Sequence, residues 1–380
     1  MVDRSVLVSG GGIAGLTAAY WLAKAGWSVT IVERAARTRS SGNPIDVRGG
    51  AVPIARQMGI WSRLEEAATG VERLVFVDAD GRPQATIPTR QRADRDGEVE
   101  VEVARADLVG LLLEKAQETS RIIRDDSIAA VHQDDGGIDV EFQRTPSRRF
   151  DLVVGSDGLH STVRRLVFGP EERFSRPFGM FVGTVRARAP IQDLRTVLMY
   201  NEPGASLTIH PAGGNPGFAF IFRGQHDFDY RDADQGRRLV ESTYADGGWL
   251  TPLALEEWGA SDERYFDAVT RMDVPQWAAG RVVLLGDAAS CISLFGEGSS
   301  SAIVGAKTLA DAMAAYPDDH TTAFAVYERS HRKHVHSLQR GAGIASRLLV
   351  PKTQSGITIR NAVLNALPFR NTRQAPDSRR

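Results

Sequence analysis

One cysteine, Cys291, stands among 380 residues, so no intrachain disulfide is available, and no Cys/His cluster has the spacing of a zinc site. That scarcity points to a reducing, cytoplasmic compartment. An excess of one charge is missing as well, since 46 Lys plus Arg meet 47 Asp plus Glu for a net charge of −1. No global field draws the chain to nucleic acid or to an anionic membrane. No apolar run reaches the roughly 18 to 20 residues that cross a bilayer, and Gly, Lys or Arg interrupts the longest. A soluble monomer or homodimer, not an integral membrane protein, is expected. Neither a Ser-His-Asp nor a Cys-His constellation competes for a catalytic role, and no internal repeat is present. What is there is ordinary globular material, 42% hydrophobic and 24% charged, long enough for two or three packed domains.

The opening residues superficially resemble a signal peptide, but they resolve into an apolar strand (Ser5 to Val8), a glycine turn, a helix-periodic segment (Ile13 to Lys24), Gly26 as its stop and a second strand (Ser28 to Val32). This is one βαβ unit. Two short helices (Gly49 to Gly59, Ser62 to Ala68), two β-like runs (Arg73 to Val77, Gln84 to Ile87) and a helix opened by Arg105 follow. A hairpin turning at Asp134-Asp135-Gly136-Gly137 belongs to a small antiparallel layer, and Phe150 to Val154 reads as a buried parallel strand. From Phe174 to Thr270 the texture becomes alternating and aromatic, with Gly and Pro turns. Parallel-sheet character returns at Arg281 to Leu285, and the chain ends in helices. The expected fold class is α/β: a Rossmann-like nucleotide-binding domain (1–173 and 271–318) carrying an inserted antiparallel β-sheet domain (174–270), C-terminal helices (319–370) and a frayed tail (371–380).

Between the first strand and helix stands Gly10-x-Gly12-x-x-Gly15, and Glu33 ends the next strand. Gly10 permits a tight turn, Gly12 lets backbone amides approach a pyrophosphate, Gly15 brings the helix close, and Glu33 can accept ribose hydroxyls. The bland alternative, a glycine-rich turn with no ligand, does not account for strand, helix and acid all falling in register. Far downstream, Arg281-Val-Val-Leu-Leu285 runs into Gly286-Asp287, placing a carboxylate at the end of a buried strand, where it can accept ribityl hydroxyls. A turn cap is the bland reading of Asp287. Phe295-Gly296-Glu297-Gly298-Ser299 then opens a helix whose amides and dipole can stabilise a reduced flavin.

Over residues 4 to 350, this set resembles the class A FAD-dependent monooxygenases, the para-hydroxybenzoate-hydroxylase-like type. Its compact length looks most like the tetracycline-inactivating branch. The landmarks are Gly10 to Gly15 with Glu33, Asp157-Gly158 in Asp151-Leu-Val-Val-Gly-Ser-Asp-Gly-Leu-His-Ser-Thr-Val-Arg164, and Gly286-Asp287. The resemblance implies FAD held by Gly10, Gly12, Ile13, Ala14, Gly15, Glu33, Arg34, Arg39, Asp46, Arg105, Asp157, Gly158, Gly286, Asp287, Gly296, Gly298 and Ser299. NADPH or NADH visits as a transient reductant, O2 is the oxidant, and an aromatic or polyketide-like small molecule is hydroxylated. The single GxGxxG fits a visiting reductant. The chain departs from the family pattern at Ser290 (usually His), at Ser293 and Leu294 (usually Pro) and at Glu297 (usually Gln).

Met180, Phe181, His210, Phe220 and Phe222, on strands of the inserted unit, and Phe295 are the substrate-pocket candidates, with ordinary core packing as the alternative. No side chain is singled out as catalytic, because flavin chemistry asks the protein mainly for binding, orientation and a dry pocket. His331, His334 and His336 are read as a solvated helix face rather than a metal site. Two rival functions stay open: another flavoprotein oxidoreductase, such as a dehydrogenase, epoxidase or halogenase, and a flavin- or ligand-binding module without turnover.

Overall fold

The computed structural model describes residues 4–37, 44–89, 100–188, 193–291 and 297–367; the side chains of 297 and 340–345 are not described. β1 (Ser5–Ser9), α1 (Ile13–Lys24) and β2 (Ser28–Glu33) form the N-terminal βαβ unit. α1 starts where Gly12 leaves helical dihedrals and stops at Gly26, whose φ of 89° suits the left-handed turn after a helix. β3 (Pro44–Val47), α2 (Ala51–Gln57), α3 (Trp61–Glu66), β4 (Arg73–Val77), β5 (Pro83–Pro88), β6 (Val101–Ala104), α4 (Arg105–Gln117) and β7 (Ser120–Arg124) follow. The hairpin of β8 (Ile128–Asp134) and β9 (Gly137–Phe142) turns where expected. β10 (Arg148–Phe150) then joins it, before β11 (Leu152–Gly155) and α5 (Thr162–Val167).

The inserted region comprises β12 (Ser175–Arg186), β13 (Thr196–Glu202), β14 (Ala205–His210), β15 (Gly217–Arg223), α6 (Ala233–Thr243), α7 (Thr251–Ala260) and β16 (Tyr265–Met272). β17 (Ala278–Ala279), β18 (Val282–Leu284), α8 (Glu297–Ala315), α9 (His320–Leu349) and α10 (Gln354–Ala366) complete the described chain. Among the described residues, no helix is long and apolar enough to cross a membrane.

The first sheet orders its strands β17-β18-β11-β1-β2-β7, parallel except for β17. Its central strands are buried throughout except for Ser5 at the start of β1, as a parallel sheet covered on both faces requires. Phe150 is not part of it: it ends β10 in the antiparallel layer β10-β9-β8. The second sheet runs β16-β12-β15-β14-β13-β4-β5. β4 and β5, which lie in the stretch expected to be nucleotide-binding, therefore pair into it, β4 running parallel to β13. Their apolar side chains explain the attachment: Val75 and Val77 pack with Tyr200, and Phe76 with Met199 and Ala85.

α6 and α7 cover one face of this sheet. The other face meets the end of α9, where the Arg223 guanidinium donates to the carbonyls of Ser346 (2.7 Å) and Val350 (2.7 Å). The histidine cluster on α9 is not the solvated face expected of it. His331 is 3% exposed, stacked on Tyr327 and edge-on to Trp277. It lies so close to Gly305 of α8 that a Cβ there would sit 2.6 Å from its Nε2. Burial pushes its imidazole down to about 4, so the ring is neutral; His334 is half-buried, and His336 alone of the three is exposed.

Candidate functional site

Three loops meet at the carboxyl-terminal edge of the parallel sheet, the edge at which open α/β sheets take ligands. Ser9 pairs with Gly155, and Gly155 with Leu284, so Gly10, Ser156-Asp157 and Leu285-Gly286 leave adjacent strands at one level. Their contacts are tight. At Gly10 (φ 106°) a Cβ would lie 2.5 Å from the Ser156 carbonyl oxygen, and at Gly15 1.9 Å from that of Gly10. A Cβ at Gly286 would meet that of Ala14 at 2.8 Å. Gly12 and Gly158 differ, with no described atom within 4 Å of their added Cβ, so they face the open cleft. Among the described residues no side chain caps the first turn of α1, which leaves the amides around Ile13 and Ala14 for a ligand.

The acidic groups take distinct positions. Glu33 accepts from the amides of Gly11 (2.6 Å) and Ala35 (2.7 Å), one bond per oxygen, keeping a lone pair on each for a ribose. Asp157 turns inward and caps α5, accepting from the Ser161 hydroxyl and the amides of Thr162 (2.8 Å) and Val163 (3.1 Å). Burial pushes its carboxyl up against those bonds. Arg164, fully buried, donates to the carbonyls of Leu159 (2.5 Å) and Ala288 (3.1 Å) and to Glu171 (2.8 Å), tying the Asp157 loop to the Asp287 loop. Asp287 is open to the cleft but ringed by protein on its other sides. That enclosure raises its carboxyl, opposed by Arg105 and by the Cys291 thiol.

Arg105 opens α4 directly after β6, whose partner β3 carries Asp46. The Asp46 carbonyl accepts from the hydroxyls of Ser299 (2.7 Å) and Ser300 (2.9 Å), so Ser299 stitches α8 to β3. Gly286, Asp287, Ser290, Gly298, Ser301 and Ala302 line one groove with Val335 and Leu338 of α9. Arg34 is exposed beyond Glu33. Arg39, Phe295 and Gly296 lie outside the described residues.

The pocket candidates divide by sheet face. Phe181, Phe220 and Phe222 are corrected: they pack with Tyr244 and Trp258 beneath α6 and α7, away from the nucleotide unit. Met180 is on the face toward that unit, yet 2% exposed in a cluster with Val182, Ile221, Val269 and Val350. His210 points the same way and is engaged: its Nε2 lies 2.8 Å from Glu102, and its Nδ1 accepts from the Ala212 amide at 2.9 Å.

Ladder register reveals residues on this face that sequence reading missed. Tyr265, Thr184, Ala219, Thr208 and Met199 form one row. Tyr265 is 40% exposed, with its phenol raised by enclosure and by the charges of Asp267, Cys291 and Asp287, which places it at the same cleft. Thr208 is 8% exposed, and its buried hydroxyl has no hydrogen-bond partner among the described residues. Alternation with Asp267 was the available signal for Tyr265.

Asp267 links the two units. Its carboxylate lies 3.0 Å from His160 Nε2, while His160 Nδ1 is 2.9 Å from Glu171 and the ring stacks on Tyr230 with centroids 3.4 Å apart. Burial alone would lower the imidazole; the hydrogen bonds to Asp267 and Glu171 outweigh it and bring it up to about 9. His160 is therefore a cation at neutral pH.

Residues 3–340 match the family model described as an FAD binding domain. An uncharacterised protein of Mycobacterium tuberculosis (strain H37Rv) is 36% identical, with 85% of this chain and 88% of that protein aligned. A flavin-dependent monooxygenase of Legionella longbeachae is 32% identical over 91% of this chain and 90% of its own. Among solved structures, tetracycline destructase Tet(51) superposes with a TM-score of 0.83 at 28% identity, covering 96% of both chains.

Proposed function

Since the chain belongs to the FAD-binding family of flavin-dependent monooxygenases, we propose that it inserts one atom of O2 into an aromatic or polyketide-like small molecule, with NADPH or NADH as electron donor. The balance is substrate, O2, NAD(P)H and a proton giving hydroxylated substrate, NAD(P)+ and water. The observation that carries this reading is the convergence of the Gly10, Asp157 and Asp287 loops at one sheet edge, beside the face of a large, mainly antiparallel sheet. The likeness to a tetracycline destructase favours a polycyclic substrate.

The cleft fits FAD: open space at Gly12 and Gly158, an uncapped helix start and two acids along one edge match a pyrophosphate between two polyols. The first turn of α1 holds the pyrophosphate, Glu33 the ribose and Asp287 the ribityl hydroxyls, while Arg105 offsets the charge of Asp287. Bound FAD supplies the redox chemistry and oxygen activation. The protein supplies order around it. Asp157 and Arg164 fix the loops, and the Tyr265 to Met199 row, with the unpartnered Thr208 hydroxyl, forms the wall that orients substrate and excludes water.

The test is the visible spectrum of the purified, FAD-loaded protein before and after anaerobic NADPH or NADH, with and without tetracyclines and polycyclic phenols. Bleaching accelerated by one ligand, followed in air by a product one oxygen atom heavier, is the expected result. A flavin that both donors leave oxidised with every ligand would overturn the donor assignment, and ligand-independent bleaching without product would overturn the oxygenase reading.

A further inference from the structure

Tyr265 stands on the edge strand of the second sheet, opposite Thr184 of β12, at one end of the row that runs through Ala219 and Thr208 to Met199. Its phenol has one hydrogen-bond partner among the described residues: Asp267, two positions on and so on the same face, whose Oδ2 lies 3.4 Å from the phenol oxygen. Asp267 is 6% exposed and firmly held. Its Oδ1 accepts from the Ala268 amide at 2.8 Å, and its Oδ2 faces His160 Nε2 at 3.0 Å. Glu171 grips the other nitrogen of that imidazole at 2.9 Å, Tyr230 covers its face, and Arg164 donates to Glu171 at 2.8 Å.

This chain gives Tyr265 a fixed polarity. A carboxylate can only accept, so the phenol must donate to Asp267. Burial, with the charges of Asp267, Cys291 and Asp287, raises the phenol above its ordinary value, so it keeps its proton at neutral pH. With that proton turned to Asp267, what remains for the cleft is a lone pair. Thr208, farther along the row, differs: no described residue engages its hydroxyl, which can turn to serve a donor or an acceptor.

We propose that Tyr265 selects a neutral hydroxyl group on the aromatic substrate by accepting its hydrogen bond, and that Asp267 is the positioning residue that sets this polarity. The proposal rests on the reading above that an aromatic small molecule is the substrate. An ether or a bare ring leaves the Tyr265 lone pair unmatched in an enclosed site. A carboxylate or a phenolate brings lone pairs to a lone pair, with the charge of Asp287 nearby.

The test titrates the FAD-loaded protein at neutral pH with 1-naphthol and with 1-methoxynaphthalene, read from flavin absorbance, in wild type, Tyr265→Phe and Asp267→Asn. Wild type should bind the naphthol more tightly than its methyl ether. Tyr265→Phe, which keeps the ring, should weaken the naphthol roughly fivefold and leave the ether unchanged. In Asp267→Asn the new amide keeps its oxygen on the Ala268 amide and donates from its nitrogen to Tyr265 and to a neutral His160, whose own proton then goes to Glu171. The Tyr265 proton is released to the cleft, so this variant should gain the ether without losing the naphthol, a change that loosened packing does not produce. A naphthol preference that survives Tyr265→Phe would show that the bulk of the methyl group sets it and would overturn the proposal. Equal binding of both probes by wild type, or binding of neither, would do the same. A matching drop in FAD affinity in Tyr265→Phe would assign the phenol to the ribityl hydroxyls instead, and an ether left unimproved in Asp267→Asn would overturn the part given to Asp267. None of these outcomes touches the oxygenase reading, which stands or falls on ligand-accelerated bleaching and an oxygenated product in wild type.

Discussion

Gly12 and Gly15 lie three residues apart in opposite surroundings. A side chain at Gly12 projects into open cleft from dihedrals that any residue adopts, whereas one at Gly15 collides with the Gly10 carbonyl. Gly12→Asp should therefore fold with an unchanged apoprotein Tm but bind FAD weaker by about 2 kcal/mol, since it sets a carboxylate against the pyrophosphate. Gly15→Ala should lower the Tm of the apoprotein itself; equal effects of the two on folding would contradict the assignment. His160 sets a pH dependence. Its folded-state value of about 9 exceeds the ordinary 6.5, so its contribution is complete below pH 6.5 and disappears as pH rises through 9. In urea titrations, His160→Gln should cost on the order of 3 kcal/mol at pH 6 and little at pH 9.5. A cost that did not shrink with pH would show that the ring acts by packing on Tyr230 alone. Thr208→Val, which removes a buried hydroxyl without a partner, should leave stability within about 1 kcal/mol or improve it and raise the KM of the organic substrate alone.

At the scale of elements, alternation in the inserted strands told which residues share a face but not which neighbour each face meets. Phe181, Phe220 and Phe222 were expected at the pocket because aromatic strands near a flavin suggest it, yet the helices that follow, α6 and α7, cover that side. Phe220→Ala should accordingly cost about 3–5 kcal/mol in denaturant titration while leaving the substrate KM untouched; a KM effect with little loss of stability would return Phe220 to the pocket. β4 and β5 were legible as strands and not as members of the second sheet, since β13, the partner through which β4 joins it, begins more than a hundred residues later and pairing at that separation leaves no local trace. The βαβ unit and the Asp134 hairpin were readable because each is specified within one short window. His331 was misjudged for the same reason as the phenylalanines: the space it occupies is made by Gly305 on another helix.

On the scale of the whole molecule, parallel connectivity creates the cleft: residues 10, 157 and 287, remote in the chain, become neighbours because β1, β11 and β18 run side by side in one direction. Each motif was legible alone, and their meeting was legible only through the topology they jointly implied. Arg164 then locks the arrangement from within. Arg164→Met should release the Asp157 loop from the carbonyl of Ala288 and strand Glu171, lowering FAD affinity and Tm together; loss of one without the other would separate the two loops. α9 is a single helix of 30 residues that packs on α8 at one end and reaches the second sheet at the other. At 1.5 Å per residue it is a strut of about 45 Å, and a strut fixed at both ends denies the two units a clamshell hinge. The enzyme must therefore breathe through its loops, and its tempo of ligand exchange is a property of short segments at the rim rather than of domains swinging apart.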